Sequence, residues 1–284
     1  MAQHGYTMEQ LRTDPVGDES WVQRPDGTRL RIRVAGSGPT VLLAHGFGLT
    51  MVEWNVIATK LVDRDFRVVT FDQRGHGQST IGTDGIGTIP MAGDYLAILE
   101  HLDASDVTLV GHSMGGFIAI AGLLELPSLA DRVKSVVLFA TFSGSITKGS
   151  MQNKAQIPMI KSGILKSMLS NGFVAKSFSK SICGDDPDPA SLEMFVEVFK
   201  AQDLKSLVPI LQAFGDEDRG DRLHEIDKPT VVICGRKDST TPPWQSERLA
   251  TSIPGARMVW VDGAGHMVNW EAPDALVEAV ESLR

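Results

Sequence analysis

Six short runs of aliphatic and β-branched residues constrain this chain more than any other feature: Val41-Leu42-Leu43-Ala44, Val68-Val69-Thr70-Phe71, Val107-Thr108-Leu109-Val110, Val136-Val137-Leu138-Phe139, Val231-Val232-Ile233-Cys234 and Met258-Val259-Trp260-Val261. None alternates strictly between apolar and charged residues. A continuous apolar run of this length reads as a strand buried on both faces, the condition of a parallel sheet covered by helices. Helical texture separates most of the runs, as from Met91 to His101 and from Phe117 to Leu126. Strand alternating with helix specifies an α/β layered fold. Upstream, Trp21 to Arg24, the turn Pro25-Asp26-Gly27 and Arg29 to Val34 alternate with period two, as a half-exposed hairpin does.

The alternation stops over residues 142–217, where the texture turns helical and irregular, and resumes at Thr230. The expected organisation is a core of 1–141 and 218–284 with a helical insertion at 142–217. Residues 1–18 are polar and aperiodic and read as a loose lead-in.

Composition excludes several classes. The net charge is −8, from 35 acidic against 27 basic residues. A chain of that sign repels phosphate backbones, so no nucleic-acid partner is expected. Apolar runs fall far short of the roughly 20 residues of a membrane helix, so stable membrane insertion is not expected. The N-terminus shows no secretory pattern, and Cys183 and Cys234 show neither metal spacing nor a disulfide framework. The expectation is a cytoplasmic monomer or homodimer.

Ligand sites of open parallel sheets form at the carboxyl ends of the strands. The sharpest motif there is Gly111-His112-Ser113-Met114-Gly115-Gly116, between a strand and a helix. Gly-x-Ser-x-Gly alone is weak, but a strand–turn–helix context makes Ser113 a candidate nucleophile rather than an ordinary turn residue. A serine hydroxyl needs a base with a pKa near neutrality. Among seven histidines, His266 in Asp262-Gly263-Ala264-Gly265-His266 follows the last strand on a pliable loop and is the candidate base. Asp238, after the strand ending at Cys234, is the first choice to orient it, with Asp262 as rival. An oxyanion needs two amide donors. Met114 N–H would supply one, and Phe47 N–H in His45-Gly46-Phe47-Gly48 the other, unless that segment is a plain tight turn. Asp72, Arg74 and His76 read as a structural polar cluster beside it.

At this point the chain resembles the α/β-hydrolase superfamily, in its capped serine esterase-like branch. The matching pieces are His-Gly-Phe-Gly at 45–48, Asp-Gln-Arg-Gly-His-Gly at 72–77 and Gly-His-Ser-Met-Gly-Gly at 111–116, followed by Asp238 and His266 in the family's order. The resemblance implies an eight-stranded, mostly parallel sheet flanked by helices, with a helical cap inserted after the sixth strand. The strand runs agree if the hairpin supplies strands one and two. Serine rather than aspartate at the nucleophile turn argues against the dehalogenase and epoxide hydrolase branches, and Tyr6 and Tyr95 both lie outside the insertion.

No metal-ligand or dinucleotide-binding pattern is present, so neither metal nor cofactor is expected. Apolar stripes in the insertion are packing surface first, but in a lid the buried face also roofs the site. Trp54, Ile157, Met159, Ile160, Leu165, Met168, Phe195 and Phe199 are the candidate substrate contacts. The reading is a serine hydrolase acting on a carboxylic ester, thioester or lactone of a small, largely apolar, uncharged molecule. A carbon–carbon bond hydrolase or cofactor-free perhydrolase on the same triad, and a slow-turnover small-molecule receptor, are the alternatives.

Overall fold

A computed structural model describes residues 5–146 and 158–284. Its sheet has eight strands: β1 (Asp18–Gln23), β2 (Arg29–Ala35), β3 (Thr40–Ala44), β4 (Arg67–Phe71), β5 (Val107–His112), β6 (Val133–Phe139), β7 (Thr230–Gly235) and β8 (Arg257–Val261). Their order is β1-β2-β4-β3-β5-β6-β7-β8. The hairpin β1–β2 joins antiparallel to β4, and every later pairing is parallel. Central strands β3, β5 and β7 are buried along their whole length, which is why their sequences do not alternate.

Successive side chains still leave opposite faces of the sheet. Val41 and Leu43 enter the apolar cluster on one side, and Leu42 and Ala44 the cluster on the other. The helices divide between these clusters. They are α1 (Met8–Arg12), α2 (Asn55–Val62), α3 (Thr88–His101), α4 (Met114–Glu125), α5 (Pro127–Ala130), α6 (158–162), α7 (Ile164–Met168), α8 (Gly172–Ile182), α9 (Pro189–Ala201), α10 (Val208–Asp216), α11 (Pro243–Ser252), α12 (Val268–Glu271) and α13 (Pro273–Glu281). Helices α6 to α10 all lie between β6 and β7. Their buried residues Leu165, Phe195, Phe199 and Phe214 join the cluster that holds Leu42, Phe71 and Phe117. Gly144 and Asp218 pair as an isolated bridge at the base of this excursion.

Two expectations need correction. The lead-in is not loose at Met8–Arg12, where Thr7 and Gln10 form a reciprocal capping box that starts α1. Leu11 is fully buried, and Arg12 forms a bidentate ion pair with Glu197 on α9. Trp54 is the second. It ends a 3-10 turn (Met51–Trp54) and packs edge-on against Phe139, centroids 5.7 Å apart, in the cluster on the face away from α6–α10. An indole there is core, not a substrate contact.

Candidate active site

Ser113 stands between β5 and α4 with φ 49° and ψ −113°, a conformation that costs a non-glycine residue of order 1–3 kcal/mol. The surroundings hold it there. Its amide donates to the Phe139 carbonyl at 3.2 Å, and its carbonyl accepts from the Thr141 hydroxyl at 2.6 Å and the Phe117 amide at 3.1 Å. Gly111 and Gly115 permit the turn, since a Cβ on either would strike backbone, of Gly116 and Ala44 respectively. The serine is 7% exposed, close to the surface of the fold but not open on it.

The loop after β8 carries His266, whose Nδ1 lies 2.9 Å from Asp238 Oδ2. Asp238 follows β7 and is itself saturated: its Oδ1 accepts the Thr240 and Thr241 amides at 2.9 and 2.8 Å, and its Oδ2 accepts the Thr241 hydroxyl at 2.6 Å. With its oxygens turned to donors, Asp238 acts as an acceptor toward the ring, so the hydrogen between the two sits on Nδ1 and Nε2 faces away from the carboxylate. Asp262 points elsewhere, to an exposed pair with Arg236. Glu271 fastens the His266 loop by accepting the Gly265 and Gly184 amides, and the His266 amide donates to the Ile182 carbonyl at 2.7 Å. The His112 and His266 rings lie 4.9 Å apart, so the loop sits directly against the serine turn.

The turn after β3 is fixed from behind. Gly46 N donates to Glu53 Oε2 at 3.3 Å, and Gly48 N donates to His76 Nε2 at 3.2 Å. Among the described residues, the intervening Phe47 amide has no such partner. His45 accepts the Gln73 amide on Nε2 at 2.9 Å, and Tyr95 donates to Gln73 Oε1 at 2.7 Å. Burial holds His45 and His112 well below the ordinary imidazole pKa and takes His76 to about 4, so it favours the uncharged ring at all three. Asp72 accepts the Met51 and Gln78 amides, and Arg74 forks onto Asp94 with two 2.6 Å contacts. Asp72, Arg74 and His76 therefore shape loops. Among the described residues no three His, Cys, Asp or Glu side chains are gathered as a metal site would need.

The sequence model described as "Alpha/beta hydrolase family" matches residues 41–279. The chain belongs to that family. Non-heme chloroperoxidase CPO-A1 of Kitasatospora aureofaciens is 29% identical over 254 residues, 85% of this chain and 90% of its own. An esterase (EaEST) from Exiguobacterium antarcticum shares the fold with a TM-score of 0.83, at 23% identity over 94% of this chain and 98% of its own. A thermophilic esterase from Thermogutta terrifontis gives a TM-score of 0.80 at 25% identity, over 94% and 97%.

In this α/β hydrolase the remaining candidate contacts separate. Phe199 reaches the turn after β3: its ring is 6.3 Å from that of Phe47, and a Cβ on Gly48 would collide with it. Phe195 stacks on Phe199 one turn earlier, at 5.5 Å. Ile160 and Leu165 are buried in the same cluster and Met159 is half-buried against it, while Met168 is 42% exposed and faces solvent. Ile157 lies outside the described residues. Phe214 packs 6.2 Å from Phe47 and 5.2 Å from Phe142, a placement that helical apolar spacing alone does not distinguish from ordinary packing. Thr241 was also missed. Its signal was the Asp-Ser-Thr-Thr sequence, in which an aspartate accepts amides two and three residues on.

Proposed function

We propose that this chain is a serine hydrolase of carboxylic esters, thioesters or lactones, working through an acyl-enzyme. The observation that carries the reading is the 2.9 Å His266–Asp238 contact, on loops that converge on the strained Ser113 turn. Ser113 Oγ attacks the acyl carbon while its proton passes to His266 Nε2. The Met114 and Phe47 amides receive the oxyanion. His266 then gives the proton to the leaving alkoxide, the alcohol departs, and water repeats the sequence to free the acid and restore Ser113.

Helices α6–α10 form the roof of this site. Phe47, Phe199 and Phe214 converge at ring spacings near 6 Å and make an aromatic wall beside the oxyanion turn. Such a wall favours an uncharged apolar acyl or alcohol group. The similarity to the Thermogutta terrifontis esterase supports the ester reading. That to the chloroperoxidase supports a second one, perhydrolysis, in which peroxide replaces water in the deacylation step.

The test is a p-nitrophenyl ester series from acetate to palmitate with wild type and Ser113→Ala side by side. A chain-length optimum that disappears in the variant is expected. Negligible turnover by folded wild type, with peracetic acid formed from acetate and peroxide, would replace the esterase by the perhydrolase.

A further inference from the structure

Behind the serine turn lies a buried acid that the proposed chemistry does not use. Glu53 is 1% exposed, in the 3-10 turn that follows the oxyanion segment. Its Oε2 accepts the Gly46 amide, and its two oxygens lie 3.2 and 3.3 Å from His112 Nδ1. The other nitrogen of that ring, Nε2, lies 3.2 Å from the backbone carbonyl of His266. The ring is clamped flat on Phe139, with centroids 4.5 Å apart and planes 7° from parallel. One line of contacts thus joins the loops after β3, β5 and β8, the three that carry Phe47, Ser113 and His266.

The hydrogens along this line can be assigned. A carbonyl oxygen only accepts, so His112 Nε2 carries a hydrogen. A single further proton is then shared between Nδ1 and the carboxyl. On Nδ1 it makes a buried carboxylate–imidazolium ion pair. On Glu53 it makes a neutral acid donating to a neutral ring. Burial opposes both charges of the first arrangement, pushing the Glu53 carboxyl up and the His112 ring down. Asp238 favours an imidazolium at His112, and His266 opposes it. An imidazolium there would also repel the one that His266 becomes in the reaction, one ring away.

We propose that Glu53 is an un-ionised acid which donates to His112, locks it as the Nε2–H tautomer, and so positions both the His266 backbone and the Gly46 end of the oxyanion turn. What is positioned rests on the function proposed above, whereas the protonation state does not. Glu53 and His112 are positioning residues and touch no reacting atom.

The experiment compares Glu53→Gln and Glu53→Leu, with imidazole 15N NMR of His112 as an independent reading. Glutamine keeps both contacts, since its NH2 donates to Nδ1 and its oxygen accepts from Gly46. It should stay within about threefold of wild type in kcat/KM, because the group it replaces is neutral. Leucine should lower kcat roughly 10- to 100-fold with little change in KM, and slow the labelling of Ser113 by a phosphonofluoridate in parallel. The spectrum of wild type and Glu53→Gln should show one protonated and one bare nitrogen on His112 at neutral pH. A doubly protonated His112, or a Glu53→Gln enzyme as impaired as Glu53→Leu, would overturn the proposal, as would a Glu53→Leu enzyme of wild-type rate. Should Glu53→Leu not fold, the spectrum and the glutamine variant decide. Wild type that neither turns over esters nor takes the label refutes the hydrolase reading instead, and the spectrum still reads the proton.

Discussion

The Gly48 amide donates to His76 Nε2 across 3.2 Å, and the same ring contacts the Arg74 carbonyl through Nδ1 at 3.2 Å. One neutral imidazole therefore pins the loop after β3 to the loop after β4. Replacing it by leucine leaves the Gly48 amide buried without an acceptor and lets the turn after β3 drift. His76→Leu should lower kcat for the preferred ester about tenfold, the equivalent of one lost buried hydrogen bond, with KM nearly constant. Steady-state kinetics checks this, and an unchanged kcat would remove His76 from any role in shaping the turn.

The positive φ of Ser113 carries an expectation of opposite sign for stability and activity. Ser113→Gly relieves the strain at the cost of some unfolded-chain entropy, for a net gain of about 1 kcal/mol. In a chain of this size that is a rise in Tm of about 2 °C. Calorimetry should show the rise in a protein with no ester turnover. A Tm that falls would mean the turn stores no strain.

The two aspartates near the base make different environments. Asp238 is buried and fully hydrogen-bonded, whereas the Asp262 side chain is 88% exposed beside Arg236. On the proposed mechanism, Asp238→Asn should cost roughly 10⁴-fold in kcat, because asparagine would leave the His266 imidazolium without a counter-charge. Asp262→Asn should leave kcat within twofold. Equal effects in parallel assays would assign the orienting role wrongly.

His76 also gives a dependence on pH. Burial holds it at about 4 in the fold, so below its ordinary value the unfolded chain takes up a proton that the folded chain refuses. Its contribution is full above pH ~6.5 and is lost as pH falls from there to about 4, by about 1.4 kcal/mol per pH unit. His76→Gln removes this one titration. The difference in urea unfolding free energy between wild type and variant should shift against wild type by roughly 3 kcal/mol across that window. A difference independent of pH would show that His76 titrates normally.

Much of this molecule is legible in its sequence because strands buried on both faces need continuous apolar runs. Each of the six runs became a strand, and the period-two hairpin added two more. Ser113, Asp238 and His266 stand out as candidates in the sequence because each follows such a run. Trp54 misled because an aromatic beside a turn carries no period to say which face of the sheet it will join. The capping box of Thr7 and Gln10 was in plain view, but a single turn of helix has too little periodicity to stand out from a polar tail. The contact between Glu53 and His112 spans 59 residues and arises only when the 3-10 turn after β3 meets the end of β5, so no local pattern announces it.

The docking of α1 on α9 has a consequence for synthesis. Arg12 and its partner Glu197 are separated by 185 residues. At ribosomal rates of about 5–20 residues per second, the N-terminal helix waits some 10–40 s before its binding surface exists. Throughout that interval α1 has no α9 to pack against, and its apolar face is exposed to chaperones and proteases until the fold can claim it.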